Sequence, residues 1–258
     1  IEKTGRFLYY KPWHDRFNKL VLGQYIPADQ EDLKDGRDVL DLLAYHPGTA
    51  RFIARKLCRR FISDTPPDSV VQAAAAAFTE FRDAPDQLKR VMETILLSDE
   101  FKQIWGQKIK RPFEASISMI RALNSDFTHA PSGIAWMTGM MGQPIFERRS
   151  PDGYPDVKEA WANSMSILYR WNFAVSITEN WMDEEDQGRS IKTDVYNQTP
   201  SEIRSAEGLA DFWINRLLGR PLSDENRNAV IAVMAQEYGA QDQLPDDHVQ
   251  YVLPVMIE

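Results

Sequence analysis

The chain has 258 residues, 43% hydrophobic and 11% aromatic, enough apolar material for one large core or two small ones. A formal net charge of -8 argues against a general nucleic-acid binder, because neutralising phosphates takes a basic excess. The single cysteine, Cys58, rules out an intrachain disulfide framework and a multi-cysteine metal site, and no apolar run approaches the roughly 18 residues of a membrane-spanning helix.

From the amino terminus, Phe7 to Tyr10 reads as an extended aromatic run ended by Pro12. After a polar stretch around Asp29 to Asp35, helical spacing takes over. Ala50, Ile53, Ala54, Leu57, Cys58 and Phe61 fall at i, i+3, i+4, i+7, i+8 and i+11 and predict one buried face. The pattern recurs in Val70, Val71, Ala74, Ala77, Phe78 and Phe81, and again in Leu88, Val91, Met92, Ile95 and Leu96. Lys110 to Leu123 predicts a further helix with Pro112 in its first turn.

Residues 128–157 are rich in Gly, Pro and Ser and predict a long, mostly irregular loop with a helical turn near Trp136, a kind of segment that often carries function. Helix returns from Glu159 to about Trp181. The acidic run Asp183, Glu184, Glu185 and Asp186, with the polar residues after it, predicts a linker at 182–198. Thr199, Pro200 and Glu202 have the spacing of a capping box opening a helix through Ala206, Ala210, Trp213 and Leu217. Gly219 and Pro221 end it, Ser223 caps the next, and Val249 to Ile257 forms a last apolar pattern still running at Glu258.

These elements predict an all-α, multi-helix globular bundle of about nine to twelve helices with a long Gly/Pro-rich loop. The expected division is a helical core at 1–181, the linker, and a carboxy-terminal helical segment at 199–258. Because the chain opens at Ile1 and its last pattern is unfinished, it is expected to be a fragment of a longer polypeptide.

Chemical motifs are sparse. There is no Gly-rich phosphate loop, no nucleophile elbow and no histidine pair at zinc spacing; His14, His46, His129 and His248 are scattered. Neither a metal nor a cofactor is expected, and no catalytic residue is defined. Asp183 to Asp186 lack the alternation of a calcium loop. Arg51, Arg55, Lys56, Arg59 and Arg60 form a basic helix face, expected to pair with acidic residues.

His14, Asp15 and Lys19 are the candidate polar site, since a histidine beside a carboxylate and an ammonium can do acid-base work; the structural alternative is a loop bonded to its own backbone. Tyr154, Trp161, Tyr169 and Trp171 are read either as a groove or as core. The candidate binding surface is Phe146, Arg148, Arg149, Tyr154 and Trp161, where rigid prolines display aromatics; the alternative has Trp161 plugging the core and Tyr154 pinning the loop.

Five blocks in order resemble the latter half of a bacterial family, domain of unknown function 1800. They are His14-Asp15-Arg16-Phe17-Asn18-Lys19 with Leu22-Gly23; His46 to Leu57; Lys110-Arg111-Pro112-Phe113-Glu114; Met141 to Phe146; and Pro151-Asp152-Gly153-Tyr154-Pro155 leading to Trp161 and Arg170. Where the family usually has tryptophan in the last loop, this chain has Tyr154, and the family's amino-terminal half has no counterpart. The resemblance implies a largely helical fold, export to the periplasm or beyond, and a partner protein, the missing half included; it implies no established activity. The expected function is an assembly or accessory protein that binds another protein. A hydrolase or binding module acting on an extracellular polymer through the aromatic groove is the alternative.

Overall fold

The computed structural model describes residues 5, 7–104, 106–127, 132–181 and 191–257. Eleven α-helices, two 3-10 turns and two antiparallel strand pairs occur among the described residues, so the fold is all-α in class. The chain divides into two compact units, Ile1–Lys108 and Ile109–Glu258.

The first unit opens with extended residues at 7–10 and a 3-10 turn at Lys11–Trp13. A hairpin follows, β1 (Lys19–Val21) and β2 (Gln24–Ile26), with Leu20 opposite Tyr25. The helices are α1 (Lys34–Tyr45), α2 (Pro47–Phe61), α3 (Asp68–Glu80), α4 (Gln87–Leu96) and α5 (Asp99–Gln103). Pro47 starts α2 where a missing N–H is harmless, and the His46 imidazole caps it by accepting from the Gly48 N–H at 3.0 Å.

The core of this unit joins Ala54, Cys58 and Ile62 to Val70, Val71 and Ala74 and to Val91 and Ile95. Most lie on the faces that helical spacing picks out, but Ile62 is buried where the spacing predicts Phe61, and Phe61, Leu88 and Leu96 are exposed. Burial there pushes the Cys58 thiol up to about 11. The basic face of α2 is partly paired as expected, Arg55 meeting Asp68 at 3.0 Å.

The second unit contains α6 (Pro112–Ala122), β3 (Asp126–Phe127), α7 (Ser132–Met140), α8 (Ser164–Thr178), β4 (Ile191–Lys192), α9 (Ala206–Leu218), α10 (Asp224–Ala235) and α11 (Asp246–Ile257). One core runs through it, including Ile120, Phe173, Ile177, Leu209, Trp213, Met234, Val249 and Leu253. Asn163 caps α8 by accepting from Ser166 N–H, and Gly219 ends α9 in the left-handed conformation that lacks a Cβ penalty.

Three sequence expectations change in this unit. Ile191 and Val195, inside the polar stretch read as a linker at 182–198, are buried in the same core as α6, α8 and α9. Asp183 to Asp186 lie outside the described residues, as does His129. The loop at 128–157 holds a full nine-residue helix, α7, whose Ile134 and Met137 pack on the core.

The third change concerns the capping box. Helix α9 begins at Ala206, and Ser205 caps it by accepting from the Gly208 N–H at 3.2 Å. The buried Thr199 hydroxyl instead donates to the Val195 carbonyl at 2.8 Å and accepts from the Trp213 indole N–H at 3.0 Å. Thr199→Val keeps the shape and leaves the indole N–H unpaired, so it should lower stability by about 1–3 kcal/mol in urea unfolding, while Thr199→Ser should keep most of it. A valine variant as stable as the parent would contradict this role.

Candidate functional site

Asp35 sits in the first turn of α1, where the positive end of the helix favours a carboxylate, and its side chain is only 8% exposed. Lys19 Nζ donates to Asp35 Oδ2 at 2.8 Å, Gln30 Nε2 donates to Oδ1 at 2.7 Å, and His14 Nε2 lies 3.2 Å from Oδ2. The same ammonium donates to the carbonyls of Asp15 at 2.6 Å and Phe17 at 2.9 Å, so all three of its N–H groups are used. Asp15 closes the turn by accepting from the Phe17 N–H at 3.0 Å.

Of the three residues His14, Asp15 and Lys19, two therefore meet, on the Asp35 carboxylate, while the exposed Asp15 side chain stays with its own turn and touches the group through its backbone carbonyl to Lys19. The Lys19 hydrogen bond is the largest influence on Asp35 and holds its carboxyl below the ordinary 3.8, against burial that raises it. This arrangement is a knot. It fastens residues 14–30 to the start of α1 and leaves Lys19 no N–H to give to a substrate.

On the outside of the knot the chemistry is inverted. Trp13 is 79% exposed, and Phe7, Leu8, Phe17, Leu20 and Tyr25 are exposed as well. The hairpin turn is Leu22-Gly23, with φ of 50° and 80°. Two successive positive values are the geometry of a two-residue hairpin turn that favours Asn-Gly. A leucine there is strained, and its side chain is 63% exposed, so no burial compensates the strain.

The second unit holds the aromatic candidates and separates them. Trp161 is 3% exposed and donates its indole N–H to the Pro155 carbonyl at 3.0 Å. The Tyr154 ring lies 6.1 Å from it, and the Tyr154 hydroxyl donates to the Pro144 carbonyl. Trp161 therefore plugs the core and Tyr154 pins the loop, which removes both from an open groove. Arg148 lies over the Tyr154 ring at 5.6 Å and donates to the Gly153 carbonyl at 3.0 Å. Phe146 and Arg149 remain exposed, Phe146 with a positive φ of 63°. Tyr169 packs edge-on against Trp136 at 5.9 Å, and Trp171 is exposed.

The remaining described histidine, His248, lies against Tyr238 at 4.8 Å with its Nε2 2.8 Å from the Met234 carbonyl. Among the described residues, no three His, Cys, Asp or Glu side chains are grouped as metal ligands, and no helix is long and apolar enough to cross a membrane.

With helices, hairpin and polar knot in view, the chain is a helical protein with a motif-bearing amino-terminal unit. It belongs to the family described as protein of unknown function (DUF1800), whose family model matches residues 1–255. No curated protein and no solved structure matches the chain.

The knot makes stability depend on acid. Asp35 has a folded pKa below its unfolded one, so its contribution is present above about pH 4 and is lost as pH falls through the lowered value. Asp35→Asn should lower stability at neutral pH by about 2 kcal/mol, and the gap between variant and parent should close as pH falls well below about 4. Chemical denaturation at several pH values measures this; a gap that stays constant into strong acid would contradict it.

Proposed function

We propose that the protein is an assembly or accessory protein that binds another polypeptide through the apolar hairpin surface of its first unit, and that it works in the periplasm or outside the cell. The observation that carries the reading is the inversion at residues 13–26: a buried ionic knot inside, with Trp13, Phe17, Leu20, Leu22 and Tyr25 displayed to solvent. Large apolar side chains held rigidly at the surface mark interaction sites, and aromatic ones bind at low entropic cost. The extracytoplasmic place is supported by the resemblance of the motif blocks to exported bacterial proteins. A polymer-binding groove over Tyr154 and Trp161 is disfavoured because Trp161 has no exposed ring face to offer.

A photocrosslinking amino acid in place of Leu22 or Trp13 should couple one and the same polypeptide in the producing cells, and in place of the exposed Lys89 on α4 it should couple none. That polypeptide, purified, should bind the parent chain at least about tenfold more tightly than it binds the Leu22→Asn, Trp13→Ala double variant. Crosslinks confined to this chain or to copies of it, or a purified pair indifferent to the double variant, would contradict the reading.

A further inference from the structure

Strand β2 and helix α1 wall a cleft of about 440 Å³. Tyr25 and Ile26 line it from the strand; Asp38, Asp41 and Tyr45 line it from one face of α1; and His46 stands at the end of that helix. Helical spacing explains the second wall, since residues three and four apart share a face. The carboxylates of α1 recur every third residue, as Asp35, Asp38 and Asp41.

The first two have their own lysines. Lys19 holds Asp35, and Lys34 holds Asp38 with help from Gln30. Asp41 makes no ion pair or hydrogen bond among the described residues, yet it faces the cleft beside two tyrosine rings. From Gln24 to His46 the sequence has six carboxylates, of which Asp29, Asp32, Asp35 and Asp38 are held by Arg16, Lys11, Lys19 and Lys34, so Asp41 is the carboxylate lining the cleft whose charge is uncompensated among the described residues. The His46 Nδ1 is taken up by the Gly48 N–H, so the imidazole is oriented by its own backbone and not by the carboxylates.

We propose that this cleft receives a lysine or arginine side chain of the partner polypeptide, from a segment whose apolar residues lie over the hairpin. The cation meets Asp41, and its alkyl stem runs along the exposed Tyr25 ring. Long basic side chains bury their stems on apolar surface while their heads keep a polar partner, and aromatic faces attract cations. The inference rests on the hairpin reading above and specifies the partner's chemistry, a basic apolar segment. Charge complementarity selects that occupant: an acidic segment would meet the carboxylates of α1, and a neutral one would leave Asp41 facing apolar atoms.

The test uses two labelled 12-residue peptides of leucine and serine that differ only at the central position, lysine in one and glutamine in the other, titrated into the full chain by fluorescence anisotropy. The lysine peptide should bind about fivefold more tightly, the scale of one partly exposed ion pair. Asp41→Asn should erase that preference, and Glu93→Gln on α4, a carboxylate away from the cleft, should leave it. Leu22→Asn should weaken both peptides alike. A lysine preference that survives Asp41→Asn, or equal binding of the two peptides, overturns the cation site and leaves the hairpin surface standing. Binding indifferent to Leu22→Asn, with the lysine preference still lost in Asp41→Asn, keeps the cleft and overturns the hairpin reading. Failure of both peptides to bind overturns both.

Discussion

One buried carboxylate holds the front of the first unit. Among the described residues as far as Gln30, Ile26 alone is buried, so this segment has almost no apolar core of its own. What fixes it is the Asp35 side chain, which gathers Lys19, Gln30 and His14 from three points of the chain. Charge-assisted hydrogen bonds of this kind contribute about 1.5–3 kcal/mol each when well made, enough to order a short hairpin. Tethers from outside the knot add to it, with Arg16 meeting Asp29 at 2.8 Å and Lys11 meeting Asp32 at 3.0 Å, though exposed pairs contribute little.

Because polar contacts do most of the holding, with Ile26 the one buried apolar side chain of the described segment, most of its other apolar side chains stay at the surface. Lys19 and Ile26 pair on the inward face of the hairpin, so strand alternation turns Leu20 and Tyr25 to the other face. Here the cross-strand pair Leu20 and Tyr25 is exposed, and so is the strained Leu22 at the tip. A surface ordered in advance loses less freedom on association, which is the advantage of building it on an ionic knot rather than on a loose terminus.

The sequence made some of this legible and hid the rest for identifiable reasons. The stripes of α2, α3 and α4 read correctly through their middles, where the buried positions are apolar and regularly spaced, and failed at their ends, where Phe61, Leu88 and Leu96 are exposed and Ile62 is buried instead. Helix α1 escaped notice because its inward and cleft-facing positions include Asp35, Asp38 and Asp41, where a periodicity argument looks for hydrophobes. The hairpin escaped because its turn is Leu-Gly rather than Asn-Gly. His14, Asp15 and Lys19 were visible as a local group, but the carboxylate that joins His14 to Lys19 is 16 residues beyond Lys19, and only the fold brings it there. Trp161 and Thr199 illustrate the same limit from the other side. Helical spacing does not distinguish a displayed tryptophan from one that plugs a core, and a threonine three residues before a glutamate has the capping pattern whether its hydroxyl meets a backbone N–H or an indole. Ile191 and Val195 were masked by polar neighbours, and that concealed the continuity of the second core.

The central claim, that Asp35 orders the apolar hairpin, is tested most directly by hydrogen exchange followed by mass spectrometry on the parent chain and on Asp35→Asn near neutral pH. The account predicts that the variant loses protection in peptides covering residues 14–26 while peptides from α2, α3 and α4 exchange as slowly as in the parent. Unchanged protection across 14–26 in the folded variant, or loss in all of these peptides together, would contradict it.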